Sequence, residues 1–319
     1  MRLTKENTLP RLLIVGNFLS HNGGNRSVCE DLSLRLRVAG HQVITTSSHR
    51  NRLARLADML STAWRERKHY DVALVDVYSG PAFLWVEAVC HVLRHIGKPY
   101  ILTLHCGNLP AFAQRWPRRV RRVLRFANMI TTPSRYLQNA FCSVQNDIVL
   151  LPNPLDIAQY PSTTRRYARP RITWLRAFHR IYNPSLAILA VSRLVDEFPE
   201  IQLCMIGPDK KDGSFQEVTQ LVRELALEAN VTFLGKIEKA TVPDILSQYD
   251  IFLNTTTAES FGVSVMEAAA LGIPIVTTDV GELTYLWKDG HDALLVPSND
   301  AEAMAHAVRR ILTEPGLAE

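Results

Sequence analysis

Short apolar runs alternate with amphipathic stretches along the whole chain, and this alternation restricts its fold more than any other feature. In the first half, Leu12 to Val15, His41 to Thr46, Asp71 to Val77, Pro99 to Leu104, Met129 to Thr132 and Asp147 to Leu151 read as strands. Between them Arg26 to Ala39, Leu53 to Arg67, Pro81 to His95, the stretch from Pro117, and the segment capped by Ser134 and reaching Cys142 read as helices. Val28, Leu32, Leu36 and Ala39 are expected on the inward face of the first helix. In the second half, Ile172 to Leu175, Ile201 to Ile206, Val231 to Leu234, Ile251 to Leu253, Ile273 to Thr277 and Ala293 to Val296 repeat the strand pattern. Helices are expected from Pro184 to about Asp196, Gln216 to Glu228, Val242 to Gln248, Val263 to Leu271 and Asp300 to Leu312. Strand, helix, strand in succession predicts an α/β fold of parallel sheets covered by helices, with ligands at the carboxyl ends of the strands.

A length of 319 residues favours two domains. The Pro-rich, polar segment LPNPLDIAQY-PSTTRRYARPR marks the boundary, giving domains 1–155 and 156–319. Five cysteines without a Cys-x-x-Cys spacing suggest neither a disulfide framework nor a zinc site, and fit a reducing cytosol. The first ten residues lack the apolar core of a signal peptide, and no apolar run reaches the roughly 18 residues of a membrane span. The expectation is a cytoplasmic chain, soluble or peripheral to the inner face of a membrane. Residues 1–160 hold 21 Lys/Arg against 10 Asp/Glu, whereas residues 161–319 hold 15 against 21. The basic half contains RWPRRVRRVLR, with Arg115, Trp116, Arg118, Arg119, Arg121, Arg122 and Arg125 around an apolar stripe of Val120, Val123, Leu124 and Ala127. A solvated basic face and docking on an anionic membrane surface both account for it. No nucleic-acid motif accompanies it, and no nucleic acid is expected as partner.

Asp250 to Thr278, DIFLNTTTAESFGVSVMEAAALGIPIVTT, reads as strand, loop, helix, strand. The loop carries Glu259 and leads through Phe261 and Gly262 into the helix, whose unpaired first amides suit a phosphate or a cluster of hydroxyls. Gly262 allows close approach to the backbone. Glu267, about a turn into the helix, can accept hydrogen bonds from vicinal hydroxyls, so that one carboxylate holds a sugar and the other a ribose. Two glutamates near a helix start are also compatible with a purely dipolar role. Gly23 and Gly24, after the first strand, are common turn chemistry, and the Gly-x-Gly-x-x-Gly of a dinucleotide site is missing. His105 closes the strand Pro99 to Leu104, a place where a hydrogen-bonded structural histidine is the usual finding.

The string ESFGVSVMEAAALGIPIVTT resembles the glutamate-x7-glutamate signature of the retaining glycosyltransferases of GT-B fold, glycosyltransferase family 4. The resemblance implies a GT-B architecture, two Rossmann-like doubly wound domains facing across a cleft, with an acceptor-side first domain and a nucleotide-sugar-binding second domain. It implies transfer of a hexose-type sugar from a nucleotide-diphosphate sugar to an acceptor hydroxyl, in polysaccharide or glycolipid assembly, with a saccharide or lipid-linked acceptor. The donor is a co-substrate, and no cofactor is implied. Absence of an Asp-x-Asp sequence fits a metal-independent site in which arginines and helix ends replace the cation. Glu259, Arg176, Arg180 and His105 are implied as catalytic. Glu267, Phe261, Gly262, Gly23, Gly24, Gly235 and Lys236 are implied as donor-binding. Where the family has an arginine and, five residues on, a lysine, this chain has Arg176 and, four on, Arg180. The helices that commonly follow in the family are expected to be lacking after Glu319. An epimerase or phosphorylase on the same scaffold, and a non-catalytic nucleotide-sugar or anionic-surface binding module, are the alternatives.

Overall fold

The computed structural model describes residues 9–22, 27–144 and 147–319. The chain divides into two compact units, Met1–Asn153 and Pro154–Glu319.

Unit 1 contains β1 (Leu12–Val15), α1 (Val28–Val38), β2 (Val43–Thr46), α2 (Arg52–Arg65), β3 (Val72–Val77), α3 (Phe83–His95), β4 (Tyr100–Leu104), α4 (Leu109–Arg115), α5 (Pro117–Leu124), β5 (Met129–Thr132), α6 (Arg135–Phe141) and β6 (Ile148–Leu150). The strands form one parallel sheet in the order β2-β1-β3-β4-β5-β6. All of β1 is buried, as a central strand covered on both faces must be. Helix starts follow local chemistry. Ser27 and Glu30 form a capping box on α1, the Asn51 side chain accepts from the amides of Leu53 and Ala54 at α2, and Pro117 opens α5. The buried residues of α1 are Cys29, Glu30 and Ser33, so its inner face is turned from the expected Val28-Leu32-Leu36-Ala39 stripe. Burying those polar groups is possible because Glu30 accepts from the amides of Ser20 and Ser27, while the Ser33 hydroxyl donates to the Glu30 carbonyl.

Unit 2 contains β7 (Arg171–Leu175), α7 (Pro184–Ser192), β8 (Gln202–Ile206), α8 (Ser214–Glu224), β9 (Val231–Gly235), α9 (Val242–Leu246), β10 (Ile251–Asn254), α10 (Val263–Ala270), β11 (Ile275–Thr278), α11 (Leu283–Leu286), β12 (Leu294–Val296) and α12 (Ala301–Thr313). Its parallel sheet runs β12-β11-β10-β7-β8-β9. Two apolar clusters hold its layers together. One, around Trp174, Leu203, Ile251 and Val276, packs with α7, α8 and α12; the other, around Phe252, Val265, Ile275 and Leu283, packs with α9 and α10. α8 ends at Glu224, short of the expected Glu228, with Ala226 at φ +53° and Leu225 exposed.

In each sheet the strand order reverses beside its first strand, between β1 and β3 in unit 1 and between β7 and β10 in unit 2. Connections on the two sides of such a reversal leave in opposite directions and open a crevice at the carboxyl ends of the strands.

Candidate functional site

Arg176 directly follows β7, and Glu259 lies in the loop after β10, so both stand at the reversal of the second sheet. Arg176 Nη2 donates to Glu259 Oε2, and Arg176 Nε donates to Asn254 Oδ1 at 3.3 Å. The guanidinium lies over the Tyr182 ring, 5.1 Å from its centre. Glu259 Oε1 accepts from the amides of Ser260 at 2.9 Å and Phe261 at 3.2 Å. Asn254, wholly buried at the end of β10, also donates to Thr277 Oγ1 at 2.9 Å, tying the ends of β7, β10 and β11 into one polar network. Arg176 and Glu259 side chains are 12% and 9% exposed, so the pair is desolvated at the strand ends without being sealed.

Glycines give the backbone room to close around this pair. Gly281 has φ +59°, and a Cβ there would collide with the carbonyl of Glu259, whose oxygen also accepts from the Glu282 amide at 3.2 Å. Gly262, at φ +82°, precedes α10, where a Cβ would come within 2.9 Å of Leu283. Phe261 is buried beside it. The Ser264 hydroxyl in the first turn of α10 is buried without a hydrogen-bond partner among the described residues.

Glu267 lies farther along α10 and is 2% exposed. Its Oε1 accepts from the Tyr160 hydroxyl at 2.8 Å and from Lys239 Nζ. The two glutamates thus have different partner sets, Glu259 facing β7 and Glu267 facing the segment after β9. Gly235 ends β9 at φ +67°, and its carbonyl accepts from the Gly207 amide at 2.8 Å. Lys236 follows it and is exposed, and Lys239, three residues on, reaches Glu267. Arg180 lies apart from the Arg176 network, with its Nη2 on Glu217 Oε1 at 2.8 Å and a side chain 68% exposed. Its backbone amide donates to Asp212. Burial pushes the Asp212 carboxyl up, but hydrogen bonds from Ser214 and the Arg180 amide outweigh it and hold the group down at about 2.

In unit 1, His105 follows β4 and is 7% exposed. Its Nε2 lies 3.2 Å from Asp76 Oδ1, and its ring stacks on Tyr78 at 5.5 Å. The Tyr78 hydroxyl donates to Asp76 Oδ2 at 3.3 Å; burial, then the Asp76 charge, push its pKa well up. Asp76 and Tyr78 border a cavity of ≈ 20 Å³ with Gly16 and Asn17 at the reversal of the first sheet, room for about one water. Gly23 and Gly24 lie outside the described residues.

Asn254, Tyr160, Lys239 and Asp76 are the site residues that reading the sequence misses. Asn254 had a visible signal, a polar residue closing an apolar strand; for Tyr160 and Lys239 the partner is set only by the folded chain. Among the described residues no cluster of three His, Cys, Asp or Glu side chains has the arrangement of a metal site, and no helix is long and apolar enough to cross a membrane.

Residues 165–319 match the family described as Glycosyl transferases group 1. Phosphatidyl-myo-inositol mannosyltransferase of Mycolicibacterium smegmatis is 29% identical over 178 residues, 54% of this chain and 45% of that protein. D-inositol 3-phosphate glycosyltransferase of Rhodococcus jostii is 24% identical over 248 residues, 73% of this chain and 55% of that protein. The chain therefore spans about half the length of these curated relatives. Among solved structures, Anabaena HepE in complex with UDP and glucose superposes with a TM-score of 0.76 at 16% identity, covering 96% of this chain and 90% of that one. Sucrose-phosphate synthase of Thermosynechococcus elongatus gives 0.77 at 17% identity, covering 97% and 91%. At these identities the likeness establishes the fold, which is GT-B. Residues 165–319 thus carry the likeness to the glycosyl transferases group 1, and the chain as a whole has the GT-B fold.

Proposed function

We propose that the chain is a retaining, metal-independent hexosyltransferase that moves a sugar from a nucleotide-diphosphate sugar to an acceptor hydroxyl in glycolipid or polysaccharide assembly. The observation that carries this reading is the Arg176–Glu259 pair at the sheet reversal, directly before the start of α10. In transfer the bond from the sugar C1 to the diphosphate oxygen breaks, a bond from C1 to the acceptor oxygen forms, and the acceptor proton leaves with the departing phosphate. Negative charge grows on the leaving oxygen, and a guanidinium already fixed by Glu259, Asn254 and Tyr182 meets that charge without reorganising.

Glu259 has donors on both oxygens but retains acceptor capacity for sugar hydroxyls, and Oε2 of Glu267 has acceptor capacity for a ribose diol. Gly235 and Lys236 would border the nucleobase, and Arg180 would supply a second cation only after leaving Glu217. His105 and Asp76 would lie on the acceptor side. The relatives' names, a phosphatidyl-inositol mannosyltransferase and an inositol phosphate glycosyltransferase, and neighbours holding UDP, UDP-glucose or glucose support this substrate class. The exposed arginines of α5 support a peripheral place on an anionic membrane.

A thermal-shift screen against uridine, guanosine and adenosine diphosphate sugars identifies the donor, and labelled-sugar transfer is then followed in wild type and Glu259→Ala. The reading predicts nucleoside diphosphate release that depends on acceptor and disappears in the variant. Release or rearrangement of the donor without acceptor would instead support hydrolysis or epimerisation.

A further inference from the structure

Arg55, in the first turn of α2, is 8% exposed, and among the described residues no carboxylate pairs with it. Its Nε donates to the His49 carbonyl at 2.8 Å, Nη1 to Asn17 Oδ1 at 3.0 Å and Nη2 to the Arg50 carbonyl at 3.4 Å. The guanidinium lies over Trp85, 5.3 Å from the ring centre. All three acceptors are neutral, and two of the five guanidinium N–H groups are left over. Two other little-exposed arginines are treated differently: Arg176, partly buried, pairs with Glu259, and the buried Arg165 lies 3.8 Å from Asp250. Burial of Arg55, and then the charge of Arg52, lower its pKa.

The surroundings lean the same way. Arg50 and Arg52 flank it on the surface, and Asn17 belongs to the loop leaving β1 at the sheet reversal. Asp58, one turn along α2, is occupied by the hydroxyls of Thr46 and Thr62. Leu53, 79% exposed, stands beside the arginines. A buried guanidinium held in position by neutral oxygens, with N–H groups to spare, is pre-organised for an oxyanion.

We infer that Arg55, assisted by Arg50 and Arg52, receives the anionic group of the acceptor substrate, a phosphate or comparable tetrahedral oxyanion. Naming the ligand an acceptor rests on the glycosyltransferase reading above; the anion site itself does not. It can be probed with the full chain, keeping the diphosphate site filled by saturating nucleoside diphosphate. Calorimetric titration with glycerol 3-phosphate, inorganic phosphate and neutral glycerol covers free phosphates, and flotation with phosphatidylcholine vesicles with and without phosphatidylglycerol covers a lipid headgroup. Wild type is expected to bind at least one phosphate-bearing probe and not glycerol, with Arg55→Gln weakening that binding at least about tenfold and Arg55→Lys less. Binding to free phosphates identifies a soluble acceptor group, and binding to charged vesicles alone a headgroup. If Arg55→Gln does not fold, the Arg50→Gln/Arg52→Gln double variant carries the test, with weakening of about threefold or more expected. Unchanged affinity in the variant that folds, or no binding of any phosphate probe by wild type, overturns the site. Phosphate binding through Arg55 in a chain that transfers no sugar would retire the acceptor assignment and leave the anion site standing.

Discussion

Glu259 accepts from one guanidinium and two backbone amides, so its charge positions Arg176 as much as it could hold a sugar. Glu259→Gln keeps the shape and removes that charge; under the proposed function, turnover of the donor is expected to fall at least about 100-fold with little change in the folded structure. Steady-state kinetics together with a melting curve check both parts. Gly281→Ala tests the cradle. A Cβ at φ +59° would meet the Glu259 carbonyl, and a loss of about 2–4 kcal/mol by denaturant unfolding is expected, with weaker donor binding. Asp212 supplies a pH test. Its folded pKa of about 2 lies below the usual 3.8, so its contribution is present above pH 4 and is lost as pH falls through about 2. Replacing it with Asn is expected to flatten stability against pH in that interval and nowhere else, as read by acid titration of the fluorescence.

At the scale of elements, Trp174 in β7 donates from Nε1 to Thr255 Oγ1 at 2.8 Å, fixing the exit of β10 four residues before Glu259. Trp174→Phe retains most of the apolar volume but loses the donor, and about 1–3 kcal/mol of stability should go with it, measured by denaturant unfolding. α5 keeps Val120, Val123 and Leu124 inside and anchors Arg119 to Glu87 of α3, with Nε donating at 3.0 Å, which leaves Arg118, Arg121, Arg122 and Arg125 exposed. That face was legible in the sequence because apolar spacing and burial agree. The strands were legible for a related reason: a parallel strand covered on both faces is a continuous apolar run. α4 was not, since LPAFAQR is short, carries a proline at its second position and buries only Leu109. The inner face of α1 was misplaced because its buried residues include a glutamate and a serine whose partners lie outside any local pattern. Glu259 could be picked out as a candidate because it is a loop carboxylate just before a helix start, and Arg176 through the family resemblance. Their neighbours could not, because the Arg176–Asn254 and Tyr160–Glu267 contacts join residues 78 and 107 apart in the chain.

At the scale of the molecule, each unit has its own sheet and its own core, and apart from Gly23 and Gly24 the candidate donor residues, with Arg176 and Glu259, lie in Pro154–Glu319. Residues 154–319 expressed alone are expected to melt cooperatively and to bind a nucleotide sugar, whereas unit 1 alone should bind none at its sheet reversal. The most direct measurement is a calorimetric titration of the whole chain, wild type and Arg176→Ala, with the nucleotide-diphosphate sugar selected by the thermal-shift screen. The account predicts one site in the wild type, weakened at least about tenfold in the variant while its melting curve stays cooperative. Equal affinity in the two proteins, or no nucleotide-sugar binding in either, would contradict it.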